Sequence, residues 1–413
     1  MKLSLFGRLT VALFASLVLG LGMTACGGGT VGYMYVLGQQ YNQIAGFKVD
    51  DYTGNLTTII NSPTPSEGSA PISIVIKPGG RYVMVVNQGT GGTSATSGAG
   101  AGIAVFSVGG DGTLTYQASY QPQGYIPQWA QFDVTGTYLY VLTKYSPGYD
   151  SGNGLFDKPN TDGNGAITVF SVDPNTGRMS LVTNSQTQIN NVNTPFYEVG
   201  QQPFQMKAIG GCLFTINGAD QSITPYTVSG SQLSIPTTFR ITTGANHVSS
   251  ITGGSQFVVL TDSVADNIIQ LTVGSGCTLV PPNGGGVTSN TAQGTDPVYT
   301  LIDSTGKYLY VLNATAPSGV VTTPYSTISA YTINPTTSQL QQITGAPYTV
   351  GSGPVCMIED STNQYMYISN HNDGTVTGKL LDSTTGILSD LTRGATFPAV
   401  NQAQCLALSG AVD

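Results

Sequence analysis

The chain has 413 residues, of which 8% are charged, and a formal charge of -8. It contains no cluster of lysine or arginine, which excludes a nucleic-acid partner, because phosphate binding needs grouped cations. Aromatic and β-branched residues recur throughout, which excludes a disordered chain, and abundant Gly, Ser, Thr, Asn and Gln suit many short strands joined by polar turns.

Residues 1–26 read as a targeting signal. Lys2 and Arg8 make a basic start, and Val11 to Leu21 is an uncharged apolar run too short to span a membrane. It ends in Met23-Thr24-Ala25-Cys26 before Gly27-Gly28-Gly29, which resembles a bacterial lipobox. The resemblance implies cleavage before Cys26, lipidation of its thiol and anchoring in the cell envelope. Gly27 points to the outer membrane, on the periplasmic or surface side. The alternative is an ordinary cleavable signal in which the cysteine is accidental.

Residues 27–413 read as one domain built from a repeated phrase. The phrase opens at Tyr33-Met34-Tyr35-Val36 and returns at Tyr82-Val83-Met84-Val85 and Tyr138-Leu139-Tyr140-Val141. Weaker copies begin at Cys212 and Gln256, and clear ones return at Tyr308-Leu309-Tyr310-Val311 and Tyr365-Met366-Tyr367-Ile368. Each copy is followed by an alternating strand such as Gly102 to Val108, Ala166 to Val172 or Thr327 to Ile333. A turn and a short strand come next, as at Gly54-Asn55-Leu56 and Gly386-Ile387-Leu388. An inner strand precedes the phrase, as at Ile72 to Gly80 and Val298 to Gly306. Four strands repeated seven times predict an all-β, seven-bladed β-propeller of antiparallel blades.

Blade one lacks an inner strand of its own at the N-terminal end. The final segment, Ala403 to Ser409, aligns with the inner strand Pro354 to Asp360, so the C-terminus is predicted to supply it and close the ring. That alignment sets Cys356 beside Cys405, which are expected to pair or nearly touch. Cys212 and Cys277 fall on the same side of neighbouring blades and form a second candidate disulfide. The alternative is four buried free thiols.

Long insertions gather on the face shared by the blade-to-blade connectors. Gly89 to Gly100 has the composition of a mobile loop. Ser146 to Gly165 carries Asp150, Asp157, Asn160, Asp162 and Asn164, and its alternate oxygens resemble the first half of a calcium loop. The closing Glu is missing, with Ser171 in its place, and Asp, Asn and Gly also make ordinary turns. No cofactor is otherwise expected. Ala314 to Ser326, Ile189 to Gln202 and Pro281 to Asp296 complete the insertions on this face.

The phrases Gln131-Phe132-Asp133 through Val141 and Asp303-Ser304-Thr305-Gly306-Lys307-Tyr308 through Val311 resemble the lactonase family of seven-bladed propellers. That group includes 6-phosphogluconolactonase-like and carboxymuconate-cyclase-like proteins, and its repeats are of the kind also found in surface-repeat propellers. The resemblance implies Pro-His at the start of the blade-three inner strand and Pro-Arg-His at the next. Here those places read Pro127-Gln128-Trp129 and Pro203-Phe204-Gln205-Met206. Gln128 is no general base, and neither Phe204 nor Gln205 offers a cation to an oxyanion.

Only two histidines occur, His247 and His371, both on the insertion-rich face. With Asp373 they are the candidate acid/base groups, against a role as rim or turn residues. Gln128, Trp129, Gln205, His247 and His371 are the candidate binding residues. Trp129, the sole tryptophan, either packs the core or stacks a sugar at the channel mouth. The leading expectation is a lipid-anchored, monomeric binding scaffold for a protein or carbohydrate ligand. The rival is an exported lactonase-like hydrolase or isomerase of sugar lactones or related acids. A third is a surface repeat protein with no small ligand.

Overall fold

A computed structural model describes residues 29–235, 240–254, 256–280, 294–315 and 326–410. The signal segment and Cys26 lie outside the described residues, as do most of the connector 281–296 and of the insertion 314–326. The described chain is a ring of seven antiparallel sheets. The inner strands are Pro71–Ile76, Tyr125–Phe132, Pro203–Ile209, Val248–Gly254, Thr295–Ile302 and Pro354–Glu359, in blades two to seven. Blade one takes its inner strand, Ala403–Gly410, from the end of the chain, paired antiparallel to Thr30–Gly38. Among the described residues the only helical element is one short turn, Ser275–Cys277.

The hairpin between first and second strands explains why each phrase starts where it does. The carboxylate of Asp303 accepts from the backbone N–H groups of Lys307 and Tyr308 at 2.8 and 2.7 Å. Asp360 does the same for Gln364 and Tyr365 at 2.8 and 2.6 Å. This Asx closure fixes the register of the second strand, so the tyrosines leave it at constant positions.

Those tyrosines bind blades six, seven, one and two each to the next. The Tyr35 hydroxyl donates to the Gly112 carbonyl of blade two at 2.7 Å, and Tyr310 to Gly386 of blade seven at 2.9 Å. Tyr367 of blade seven donates to Gly54 of blade one at 2.6 Å, across the closure. The first tyrosine of the phrase lies flat on the same turn. A Cβ at Gly54, Gly112, Gly177 or Gly386 would run into the ring of Tyr365, Tyr33, Tyr82 or Tyr308, and all four glycines have positive φ. The turn therefore needs glycine both for its left-handed backbone and for the close ring.

Blade four lacks this turn: its third and fourth strands, Ser222–Ser229 and Gln232–Ser234, join through two residues. The acceptor has withdrawn, and the buried Tyr140 hydroxyl of blade three is left without a partner. Burial pushes the Tyr35, Tyr310 and Tyr367 hydroxyls well above the usual phenol range, so they remain donors at all ordinary pH.

This asymmetry is testable. Tyr367→Phe is expected to lower the unfolding free energy by about 1 kcal/mol, the net worth of one buried hydrogen bond. Tyr140→Phe, which removes an unpaired hydroxyl, is expected to be neutral or stabilising in the same urea titration.

Candidate functional site

The mouth of the ring on the insertion-rich face is set by two residue columns. One is the residue after Asn87, Thr143 or Asn370 near the end of the second strand, and the other is the residue after Pro127, Pro203 or Ala403 in the inner strand of the next blade. At three of the seams these columns hold Gln88 with Gln128, Lys144 with Phe204, and His371 with Gln404. The Gln88 amide donates to the Gln128 side-chain carbonyl at 3.1 Å, joining blades two and three. At the equivalent seam of blades seven and one, the half-buried His371 places Nδ1 3.2 Å from the Ala403 carbonyl and 3.3 Å from the Gln404 amide. Gln404 in turn donates to Gln39 at 3.0 Å. These three seams thus bring neutral amides, one imidazole and one ammonium to the mouth, and the remaining seams present Ile72, Ser249, Val298 and Val355 in the inner-strand column. Sequence reading overlooked Gln39, Gln88, Gln404 and Lys144, because these columns meet only between neighbouring blades.

The other candidates are dispersed. His247 is exposed in blade five, with Nδ1 2.8 Å from the Ser263 hydroxyl, and blade six separates it from His371. Asp373 closes local turns, accepting from the Ser352 N–H at 2.9 Å and the Thr375 hydroxyl at 2.7 Å. The set His247, His371 and Asp373 does not converge. Trp129 and Gln205 stand deeper, in the next layer of inner-strand residues, and Gln205 accepts from the Ile251 N–H at 3.0 Å.

The five calcium candidates divide into two groups whose oxygens already meet donors. Asp150 pairs with Lys158 at 3.2 Å, and Asp157 accepts from Asn153 at 2.9 Å, within a small hairpin. Asn160 donates to Asp162 and to the Asn164 carbonyl, and Asn164 donates to Asp162. Among the described residues no group of three or more His, Cys, Asp or Glu side chains could hold a metal. The 89–100 loop, expected to be mobile, instead folds into a hairpin with bridges Thr90–Ala99 and Thr93–Thr96. The Ser94 carbonyl accepts from the Asn160 N–H at 2.9 Å, so the two insertions support each other.

A polar network flanks this face between blades three and four. Arg240 pairs with Asp220 at 2.9 Å and donates to Asn164, which donates to Glu198. Burial raises Glu198 above the usual carboxylate range, with the Asn164 bond opposing it. The charged form is therefore disfavoured in the folded state. Its destabilisation is absent below the unfolded value of about 4.3 and grows as pH rises through the folded value. Glu198→Gln is expected to raise the melting temperature at pH 7, with the gain vanishing near pH 4.

Cys212 and Cys277 form a disulfide with Cα atoms 5.7 Å apart, linking blades four and five. Cys356 and Cys405 touch but remain free thiols, so the expected second pair is a contact and not a bond. Tyr299 lies beside Cys356 in the same layer. In protein prepared from residue 27 onward, thiol titration of denatured protein without reductant is expected to find two free cysteines, and four after reduction.

The class follows from these features: the ring carries the seven-bladed fold of the lactonase-type propellers. A family model described as "Lactonase, 7-bladed beta-propeller" matches residues 283–404. The fold is similar to that of a periplasmic gluconolactonase from Pseudomonas aeruginosa, at 14% identity and a TM-score of 0.64, covering 92% of this chain and 99% of that one. It is also similar to a proposed 6-phosphogluconolactonase from Bacteroides uniformis, at 14% identity and TM-score 0.63, with 91% and 98% covered. A second proposed 6-phosphogluconolactonase, from Bacteroides fragilis, gives 15% identity and TM-score 0.60, with 91% and 97% covered. No curated protein matches the chain by sequence.

Proposed function

We propose that the protein hydrolyses small sugar lactones at the insertion-rich mouth, with His371 as the base that activates water. The observation that carries this reading is the His371–Gln404–Gln39 cluster, set in a lactonase-type ring, of which His371 and Gln404 lie within the family match at residues 283–404. In the tautomer that donates Nδ1–H to the Ala403 carbonyl, Nε2 keeps its lone pair and accepts a proton from water. The water oxygen adds to the lactone carbonyl, and the ring C–O bond breaks as the ring oxygen recovers the proton. The amides of Gln404 and Gln39 are donors at the same seam, suited to lactone hydroxyls or to the developing oxyanion. At this seam the neutral amides of Gln404 and Gln39 suit an unphosphorylated lactone better than a phosphorylated one. Export and lipid anchoring at Cys26 belong to the proposal and rest on the N-terminal sequence.

A second reading is a non-catalytic sugar-binding scaffold. It is favoured by Gln128 and Phe204, which stand where the family resemblance implies a histidine and an arginine. The two readings part on one measurement. Purified protein is expected to open glucono-δ-lactone above the spontaneous rate, and His371→Ala to cut kcat/KM by about 100-fold or more, with His247→Ala near wild type. No turnover, together with saturable binding of gluconate, would establish the scaffold instead.

A further inference from the structure

Beneath the mouth, the inner strands of all seven blades enclose a cavity of about 390 Å³ in the central channel. Its upper layer is Trp129, Gln205, Tyr299, Cys356 and Cys405, and its lower lining reaches Pro78, Asp133 and Leu408, near the hairpins of the opposite face. None of the mouth residues Gln39, Gln88, Gln128, His371 or Gln404 lines it. It lies one layer of inner-strand residues below the proposed lactone site.

One group in this cavity is anomalous. Lys207 extends from the inner strand of blade four, and among the described residues it has neither a carboxylate partner nor a side-chain hydrogen bond. The one acidic residue of the lining, Asp133, is committed to its own hairpin through Thr135 and the Tyr138 N–H. Burial alone lowers the Lys207 ammonium from its ordinary value, with no neighbouring charge acting on it. The remaining wall is largely apolar, with Ile74, Ile76, Phe132, Leu301 and Ile358 facing the same space as Trp129 and Tyr299. Lys207 is only partly buried, so its ammonium meets the water of the open channel and stands free to pair with a counter-charge that enters it.

We infer that the central channel is a binding site for a small organic carboxylate with an apolar body, its charge met by Lys207 and its body held against Trp129 and Tyr299. The cavity lies within the size range of small-molecule sites and has their usual composition, an apolar enclosure with one convergent polar group. Cation and aromatic walls together recognise an amphiphilic anion, whereas inorganic anions would leave the apolar wall uncovered. The inference does not depend on lactone hydrolysis.

Trp129, the only tryptophan of the chain, reports directly on this cavity. The probe is benzoate, titrated into the purified protein with tryptophan emission recorded, and benzyl alcohol is its uncharged control. Benzoate is expected to give a saturable change below about 10 mM. Benzyl alcohol is expected to give none in that range, and Lys207→Met to weaken benzoate at least tenfold. Benzoate is also expected to raise the melting temperature of the wild type and not that of Lys207→Met. Equal responses to benzoate and benzyl alcohol, or unchanged benzoate affinity in Lys207→Met, would overturn the inference. So would the absence of any saturable response in the wild type. The comparison of the two probes on wild-type protein stands even if the variant fails to fold.

Discussion

The ring depends on one contact made at successive seams, a tyrosine of one blade seated on the left-handed turn of the next. The turn sits two residues before the residue that opens the fourth strand: Gly54 before Leu56, Gly112 before Leu114, Gly177 before Met179 and Gly386 before Leu388. Cys277 before Leu279 and Ser338 before Leu340 hold the same place with positive φ, although they are not glycines. The Cys212–Cys277 disulfide therefore belongs to the same series. Cys212 occupies the column of Tyr33, Tyr82, Tyr308 and Tyr365, and Cys277 that of the glycines. Where the ring and its hydroxyl are lost from blade four, a covalent bond takes over the same geometry. Each hydroxyl contributes only about 1 kcal/mol net, but the contacts act on blades that cannot bury both faces alone. Their effect is to set blade spacing, and hence whether the ring closes at seven.

The sequence made the strands and their count legible because both depend on local pattern. The repeated phrase and its Asp-x-Thr-Gly lead mark hairpins directly, and the alignment of Ala403 to Ser409 with Pro354 to Asp360 located the closing strand, which pairs as expected. Seam contacts were legible only where two residues shared a register. Cys356 beside Cys405 is one instance, although their thiols stay unbonded. The tyrosine-to-turn contact joins columns lying far apart in the chain, and it stayed hidden until the ring was assembled. The same reason concealed the mouth. His371 could be singled out as a rare residue, but nothing in Asn370-His371-Asn372 says that its partner is Gln404. Composition misled at 89–100, where Gly, Ser and Thr form a hairpin because Asn160 and Gly124 offer it bonding partners.

The mouth and the channel illustrate how a propeller separates scaffold from chemistry. Residues that face a neighbouring blade must fit a tyrosine ring or a turn, whereas the two mouth columns and the inner layer meet no such demand. In this chain those positions hold amides, apolar side chains and one histidine at the mouth, and aromatics, thiols and one lysine within. Gln128 and Phe204 at these positions are therefore compatible with the fold. The fold equally permits a base at a different seam, because the columns repeat around the axis. His371 stands at the blade seven–one seam in the place that Gln88 holds at the blade two–three seam, two blades further round.

That equivalence bears on what activity requires here. A hydrolase of this kind needs a base, an oxyanion donor and a surface that orients the substrate, and none of these must come from a particular blade. A seam supplies the first two together, since an imidazole at one column necessarily faces an inner-strand side chain at the other. At six seams the pairing offers no imidazole. The seventh joins the two ends of the chain, where Tyr367 also reaches Gly54. The contact that closes the ring and the group proposed to activate water thus share one pair of blades, so the geometry of the base depends on the same closure that holds the fold.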